Sequence, residues 1–94
     1  MAVTFEWDET KAARNLVKHG VSFQEATSVF GDPLAGIIFD PDHSQKENRY
    51  IIVGESDRRR LLVVSYTERG DNVRIISVRP ATPRERRDYE KNQK

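Results

Sequence analysis

The sequence predicts a single α+β domain over residues 1–94, with the element order β-α-α-β-β-β-β-α and helices packed on one face of an antiparallel sheet. Three observations support this fold class. Apolar residues recur at helical spacing in the N-terminal third of the chain, and a capping pattern predicts a charged helix near residue 83. Between these segments lie short runs rich in Val, Ile and Tyr, which are typical of strands. The turns that join those runs are short, as they are between antiparallel neighbours.

The first predicted elements are a short strand and a helix. Val3–Trp7 alternates apolar and polar residues, which indicates a strand with one buried face. Asp8 is a favourable N-cap for a helix over residues 9–19, and Gly20 stands where a helix-ending glycine belongs. The apolar positions of this helix are Ala12, Ala13, Leu16 and Val17.

A second, shorter helix follows at once. Ser22–Glu25 has the pattern of a capping box, in which the serine hydroxyl and the glutamate carboxylate each bond the other residue's backbone amide. Gly31–Pro33 ends the helix. Its apolar stripe consists of Phe23, Ala26, Val29 and Phe30.

The middle of the chain predicts four strands in succession. A polar loop over residues 41–46 separates the first from the second, a hairpin over Gly54–Arg60 joins the next pair, and residues 69–72 form the last turn. This pattern favours an antiparallel meander. The predicted strands are Leu34–Asp40, Arg49–Glu55, Leu61–Glu68 and Val73–Arg79.

The last predicted element is a charged helix over residues 83–91. Thr82 is its N-cap, Pro83 occupies the first helical position, and Glu85 completes a capping box. Tyr89 is its only large apolar side chain. We therefore expect this helix to lie on the sheet edge or to meet a partner protein.

Several functional classes are excluded by absent residues. The chain has no cysteine, so it has no disulfide, thiolate metal site or cysteine nucleophile. It carries no phosphate-binding or dinucleotide-binding glycine motif. His19 and His43 lack metal-ligand spacing, so we expect no metal and no cofactor. No signal-peptide pattern or membrane-length apolar run is present, and we expect a cytoplasmic protein.

The charge is divided unevenly along the chain. Residues 1–57 carry 5 Lys and Arg against 10 Asp and Glu, whereas residues 58–94 carry 11 against 5. The basic second half indicates a polyanion partner. Solvated strand and helix faces explain the same pattern equally well, so charge alone leaves both interpretations open.

Candidate site residues occur in three places before the last strand. Lys18 and His19 lie at a helix end, where they either cap the helix or contact phosphate. Glu47 and Arg49 are two residues apart and share a face, as a surface ion pair or as a base beside a phosphate-binding guanidinium. Three arginines lie in the predicted hairpin and are either solvated or in contact with an RNA backbone: Arg58, Arg59 and Arg60.

The arginines of the last two strands are more informative. Arg69 ends one strand, and Arg74 and Arg79 lie in the next. Because Arg74 and Arg79 differ in parity, an unbroken strand directs them to opposite faces, unless a bulge or the strand end resets the alternation. We expect Arg79 to face the site. Arginine suits a phosphorane because its planar fork donates paired hydrogen bonds and keeps its charge.

An ordered set of segments resembles the BrnT family of toxins. The resemblance covers nearly the whole chain and implies a RelE-like fold, RNA cleavage, inhibition of translation and neutralisation by a BrnA-type ribbon–helix–helix antitoxin that also binds operator DNA. The segments are Phe5–Asp8, Lys11, Asn15–Ala26, His43 with Ser44, Glu47 with Arg49, Leu61–Arg69, Arg74–Arg79, Ala81, Glu85 and Tyr89.

We hypothesise metal-independent cleavage, in which a base removes the proton of the ribose 2′-OH and arginines stabilise the phosphorane. Arg79 and Arg49 are assigned to the phosphate, with Arg69 secondary. The base is Lys18, His19 or Glu47, and the sequence does not choose among them. Arg74 and the hairpin arginines are assigned to RNA binding.

Two other classes stay open. In the first, the chain is a non-catalytic module that binds RNA or a protein, and its arginines contact a backbone without cutting it. In the second, it is a DNA-binding regulator. The second is disfavoured because only the short last helix has a basic surface of the kind that reads base edges.

Overall fold

The computed structural model describes residues 3–43 and 47–92, and it confirms an α+β fold with five strands and three helices. A 3-10 turn, Pro41–His43, follows the second strand. Within the described ranges, no helix is both long and apolar enough to cross a membrane. The elements are β1 Thr4–Glu6, α1 Glu9–His19, α2 Phe23–Val29, β2 Gly36–Asp40, β3 Arg49–Glu55, β4 Leu61–Arg69, β5 Asn72–Pro80 and α3 Pro83–Lys91.

The sheet is mixed, so the prediction of a purely antiparallel sheet was wrong. Its strand order is β1-β5-β4-β3-β2. The meander from β2 to β5 is antiparallel, as predicted, but β1 pairs in parallel with β5. The reason is the path of the chain: α1 and α2 carry it across the sheet from β1 to the far edge, and the meander then returns to β1. Residue alternation in a three-residue strand does not reveal this direction.

A bulge interrupts β5. Ser77 pairs with Ser65, but the next pair along is Ile75 with Tyr66. Ile76 is therefore an extra residue in β5 with no partner in β4. Such a bulge shifts the alternation of side chains by one position.

The bulge decides where the β5 arginines point. Arg74 pairs with Thr67 and Arg79 pairs with Val63, two residues of β4 that share one face. Arg74 and Arg79 therefore also share that face. The sequence left this outcome open, because it required a reset of parity that the alternation itself did not reveal.

The core lies between the sheet and the helices α1 and α2. The helical face of the sheet presents alternate residues of β3, β4 and β5, against which α2 packs its apolar stripe. The rings of Phe30 and Tyr66 meet edge-on with centroids 4.9 Å apart, and Tyr66 stacks on Tyr50 at 5.6 Å. The buried core residues are Val21, Phe23, Ala26, Val29, Ile52, Leu62, Val64, Tyr66, Val73, Ile75 and Val78.

The contact face of α1 differs from its predicted apolar stripe. Ala12 packs against the core, but Leu16 is 51% exposed and Val17 is 89% exposed. The buried residue of this helix is Asn15. The helix therefore turns a polar amide inward, because that amide bonds to β5.

The predicted N-caps of α1 and α2 are both present. Asp8 accepts a hydrogen bond from the backbone of α1, and Ser22 does the same for α2. The capping box predicted for α2 is only half formed. The Glu25 carboxylate does not reach back to Ser22, because it binds the side chains of Arg60 and Ser56.

The face of the sheet opposite α1 and α2 is called the open face below. Leu61 and Val63 on this face are nevertheless buried. α3 borders the open face and packs against β3. The Tyr89 hydroxyl donates a hydrogen bond of 2.5 Å to Asp32 and so ties α3 to the segment that follows α2.

Candidate nucleic-acid interface

The open face carries four arginines. Arg49 lies on β3, Arg69 on β4, and Arg74 and Arg79 on β5, at positions that alternation directs to this face. Lining a sheet face with guanidinium groups is unfavourable unless the face is wet or serves a ligand. The face is thus the principal candidate site.

Three of these arginines form one group, called here the arginine cluster: Arg49, Arg69 and Arg74. In the register of the sheet, Arg49 and Arg74 flank Thr67 on either side. Arg69 follows two residues later on β4. The meander places the start of β3, the end of β4 and the start of β5 at the same end of the sheet, and this brings the cluster together.

Two carboxylates hold the cluster in place. Glu47 accepts two hydrogen bonds from Arg69, at 3.0 and 3.1 Å. Glu6 accepts one from Arg74 at 3.0 Å and one from Asn72 at 3.1 Å. β1 therefore completes the site, since it supplies Glu6 from the other end of the chain.

The electrostatics confirm that these groups act on one another. The hydrogen bond from Arg69 lowers the pKa of Glu47, and the charges of Arg49 and Arg74 lower it further. The hydrogen bond from Arg74 lowers the pKa of Glu6. Both carboxylates are ionised at neutral pH.

Thr67 is a part of this site that sequence reasoning missed. Its side chain is completely buried, and its hydroxyl has no hydrogen-bond partner among residues 3–43 and 47–92. A buried hydroxyl without a partner costs about 1–3 kcal/mol. A threonine in a strand is unremarkable in sequence. Its significance depends on cross-strand neighbours that only the sheet register reveals.

Arg79 stands apart from the cluster. It pairs with Val63, which lies four residues from Thr67 along β4. Arg79 therefore lies about 13 Å along the strands from Arg49, Thr67 and Arg74. Its guanidinium donates two hydrogen bonds to Glu85, at 2.8 and 2.9 Å. These bonds lower the pKa of Glu85 to about 2.

Glu85 also caps α3. It accepts a hydrogen bond from the Thr82 amide, and Thr82 in turn caps the Glu85 amide. The predicted capping box of α3 is therefore confirmed, with Pro83 in its first turn. The same carboxylate thus joins the start of α3 to Arg79.

Asn15 fixes the backbone from which Arg79 projects. Its amide nitrogen donates to the carbonyls of Val78 at 2.8 Å and Val21 at 3.1 Å, and its oxygen accepts from the Val78 amide at 3.1 Å. β1 pairs only with the start of β5, so Asn15 takes the place of a neighbouring strand at Val78. Asparagine has a low helix propensity, so its occurrence inside a helix was the signal that the sequence offered.

Lys18 and His19 are not brought to the arginine cluster. They end α1 just before Gly20, whose carbonyl accepts a hydrogen bond from Arg60 at 3.2 Å. Arg60 immediately precedes β4, whereas Arg69 ends it. The length of β4, about 26 Å for nine residues, separates the two regions.

The hairpin arginines divide into two kinds. Arg60 forms an ion pair with the buried carboxylate of Glu25, which lowers the pKa of Glu25. It therefore connects the hairpin to α2. Arg58 and Arg59 are exposed in the turn, and Arg59 adopts a left-handed conformation with φ of 62°.

No group of three or more His, Asp and Glu side chains in the described parts of the chain is placed to hold a metal ion. His43 belongs to the short 3-10 turn after β2. The predicted loop residues 44–46 lie outside the described residues. The charged side chains described on the open face are guanidinium groups and carboxylates.

These features define a small α+β protein with an arginine-lined sheet face. A family model described as the ribonuclease toxin BrnT of type II toxin–antitoxin systems matches residues 7–85. The chain belongs to this family. The BrnT resemblance inferred from the sequence is thereby confirmed, and such a toxin implies an antitoxin partner.

A solved structure agrees with this assignment. The chain is similar to the Brucella abortus ribonuclease toxin BrnT, known from a 1.1 Å crystal structure, with a TM-score of 0.65 and 22% sequence identity. The match covers 87% of this chain and 99% of the Brucella chain. No curated protein sequence matches the chain. The structural likeness supports the fold.

Proposed function

We propose that this chain is a RelE-like endoribonuclease toxin that cleaves cytoplasmic RNA and blocks translation. A BrnA-type ribbon–helix–helix antitoxin neutralises it and supplies the contact to operator DNA. The proposal rests on one observation. Arg49 and Arg74 are the cross-strand neighbours of Thr67, and the ion pair of Arg69 with Glu47 lies beside them. These groups place positive charge and a carboxylate around one position on an accessible sheet face.

The proposed reaction uses these side chains, the RNA and one water molecule. Glu47 takes the proton of a ribose 2′-OH, and the 2′ oxygen forms a bond to the adjacent phosphorus. The bond from phosphorus to the 5′ oxygen breaks, and the leaving oxygen takes a proton from water. Arg49 and Arg74 stabilise the negative charge of the phosphorane, and the products are a cyclic phosphate and a 5′ hydroxyl.

Binding of phosphate prepares Glu47 for this role. In the free protein, Arg69 holds the carboxylate and lowers its pKa, which makes it a weak base. The side chains of Arg69 and Glu47 are 49% and 38% exposed, so their ion pair contributes little stability and opens easily. A phosphate that takes over Arg69 releases Glu47 and removes the hydrogen bonds that lower its pKa.

The remaining sequence candidates receive other roles. Arg79 lies on the same face about 13 Å from the cluster, and we assign it to a second phosphate of the bound RNA. Arg58 and Arg59 extend the basic surface. Lys18 and His19 lie at the far end of the sheet and do not share a phosphate with Glu47.

The test maps new RNA ends in a bacterial host after the toxin alone is induced. The wild-type chain is expected to produce discrete ends that carry 5′ hydroxyls. Arg49→Ala and Arg74→Ala are expected to remove them, and Arg79→Ala to reduce them. Arg14→Ala, an exposed arginine on α1, is the matched control and is expected to behave as wild type. Active Arg49→Ala and Arg74→Ala variants would refute the assigned roles.

Two further measurements test the chemistry with purified protein. A 2′-deoxy substitution at the mapped cleavage site is expected to abolish cutting, since the attacking oxygen is then missing. Cleavage is expected to continue in EDTA. Loss of cleavage in EDTA, or cleavage of the deoxy substrate, would contradict metal-independent attack by the 2′-OH.

One observation favours the non-catalytic module as a second candidate. Arg69, Arg74 and Arg79 each already pair with a carboxylate, so these ion pairs could serve the fold and surface binding alone. In that case RNA binding would depend steeply on salt and no new ends would form. The end mapping therefore separates the two candidates.

A further inference from the structure

β2 leaves an unusual edge on the sheet. It is one of the two edge strands, and its consecutive residues Ile37, Ile38 and Phe39 are 58%, 61% and 49% exposed. Proteins normally protect such edges with lysine, proline or a bulge, because an unpaired strand attracts another one. Gly36–Asp40 contains neither lysine nor proline, and it pairs with β3 without a break in register.

A groove adjoins this strand on the open face. Ile38, Ile51, Val53 and Val63 contribute to its apolar floor, and α3 forms the opposite wall with Tyr89. The groove has a volume of about 640 Å³. It is large enough to receive several apolar side chains of a binding partner.

The other face of β2 is apolar as well. Phe39 packs edge-on against Tyr50, with ring centroids 5.7 Å apart, and Ile37 pairs with Ile52 in register. An occupant that covers both faces must direct side chains alternately to the two sides. A β-strand added along the edge does this, because successive side chains point to opposite faces.

The charges beside β2 and the groove indicate which kind of partner segment binds there. Residues 19–45 contain no lysine or arginine, and the exposed carboxylate of Asp42 lies in the turn that directly follows β2. Within the groove, Arg79 is paired with Glu85, and Asp88 adds a further carboxylate. With Arg79 neutralised by Glu85, the negative charge of Asp42 and Asp88 disfavours a second copy of the same edge. It favours a strand whose apolar residues are flanked by lysine or arginine.

We propose that β2 and this groove are the docking site of the antitoxin. An extended antitoxin segment pairs along β2 as a sixth strand, places an apolar side chain over Ile38, and directs basic side chains to Asp42 and Asp88. This proposal rests on the proposed function, since it takes the antitoxin as the partner. Because the groove reaches Arg79, docking covers one of the arginines assigned to RNA.

The test measures the affinity of the purified toxin for a purified BrnA-type antitoxin. Ile38→Lys and Phe39→Lys each place a charge where the added strand packs, and they are expected to weaken binding at least about tenfold. Val17→Lys is the matched control, because Val17 is an exposed apolar residue on α1. It is expected to leave the affinity unchanged.

Cleavage by the free toxin shows whether the variants are folded. Ile38 and Phe39 lie outside the proposed catalytic groups, so both lysine variants are expected to cut RNA as the wild type does. In a host, they are expected to remain toxic when the antitoxin is co-expressed. Amide hydrogen exchange in residues 36–40 is expected to slow at least about tenfold in the wild-type complex, as it does when backbone groups pair.

The possible results separate the two proposals. If the wild-type toxin binds the antitoxin and the lysine variants bind equally well, or Val17→Lys alone weakens binding, the docking site is refuted and the toxin function stands. If the wild-type chain cuts no RNA and binds no antitoxin, both proposals fail. Self-association of the toxin that Ile38→Lys abolishes, with antitoxin affinity unchanged, would assign this edge to a second copy instead.

Discussion

At the scale of single residues, Asn15 shows how one polar side chain completes a sheet. It serves both backbone groups of Val78 where β1 has ended, and it reaches Val21 at the turn between α1 and α2. The helix therefore contacts the sheet through hydrogen bonds as well as apolar packing. The specificity of those bonds fixes how α1 lies along β5.

Removal of this side chain tests its contribution. Asn15→Ala leaves the amide and carbonyl of Val78 and the carbonyl of Val21 without their partner. We expect the free energy of unfolding to fall by about 3 kcal/mol, because unsatisfied buried groups carry their full desolvation penalty. Urea denaturation measures this loss. Arg14→Ala, one residue earlier and exposed, should change stability by less than about 0.5 kcal/mol, and an equally small effect of Asn15→Ala would show that the bonds are dispensable.

Glu85 makes the docking of α3 dependent on pH. The bonds from Arg79 lower its pKa from the ordinary value of 4.5 to about 2. A carboxylate with a lowered pKa stabilises the folded state above its unfolded pKa, and this stabilisation is lost as the pH falls from about 4.5 towards 2. The side chains of Arg79 and Glu85 are 41% and 30% exposed, so solvent screening limits the contribution to about 1 kcal/mol.

The comparison with Glu85→Gln isolates this effect. The variant removes the titrating group and keeps a hydrogen-bonding side chain of the same size. We expect the wild type to exceed the variant in stability at pH 6 and to lose that advantage by pH 2, as measured by chemical denaturation across the range. A difference that does not change with pH would contradict the assignment, since other carboxylates titrate equally in both proteins.

At the scale of elements, Gly54 permits the close approach of β3 to the end of α2. A Cβ atom at this position would lie 2.9 Å from the Cβ of Ala35 and 3.0 Å from a methyl carbon of Val29. We expect Gly54→Ala to lower the free energy of unfolding by about 1–3 kcal/mol, because the crowded groups must move. Thermal denaturation measures the change. Gly36→Ala in β2 is the control, since a Cβ there meets nothing within 4 Å, and equal effects of the two variants would contradict steric crowding.

The sequence predicted the bounds of the helices and strands better than it predicted how they pair and pack. Every helix and strand was located within three residues at each end, because caps such as Asp8 and Thr82 and alternating apolar residues are local signals. The bulge at Ile76 and the parallel pairing of β1 depend on partners that are distant in sequence. The predicted apolar stripe of α1 was wrong for the same reason. Asn15 is buried because it bonds the backbone of Val78 in β5, a contact that is distant in sequence.

The same distinction holds for the candidate site. Glu47 and Arg49 were singled out as neighbours, and the structure groups them with Arg69 and Arg74. Arg79 was placed with Arg49 in one phosphate site, but the register separates the two along the sheet. Thr67 escaped notice because its burial between two arginines arises from cross-strand pairing alone.

At the scale of the whole molecule, charge is segregated in space. The arginine cluster lies at one end of the open face, whereas Glu85 and Asp88 line the groove beside β2 and Glu85 neutralises Arg79 there. Two partners of opposite charge can therefore approach one sheet along different paths. A net charge of +1 conceals this division.

Salt dependence measures the charged contacts directly. For a 2′-deoxy-substituted RNA that resists cleavage, contacts from the four open-face arginines predict that log K falls with log salt with a slope of about −3. Arg74→Ala is expected to reduce the slope by about 0.7, and Arg14→Ala to leave it unchanged. Fluorescence anisotropy at several salt concentrations gives these slopes. An unaltered slope for Arg74→Ala would remove that residue from the RNA interface.

The pairing of β1 with β5 also bears on synthesis. The ribosome makes β1 first, but its partner is among the last strands to emerge, and Thr4 faces Asn72 only when most of the chain is out. The Glu6–Arg74 ion pair likewise joins the first strand to the last one. Contacts so distant in sequence form late and slowly. A nascent toxin is thus without its complete cluster until translation of its own chain is nearly finished.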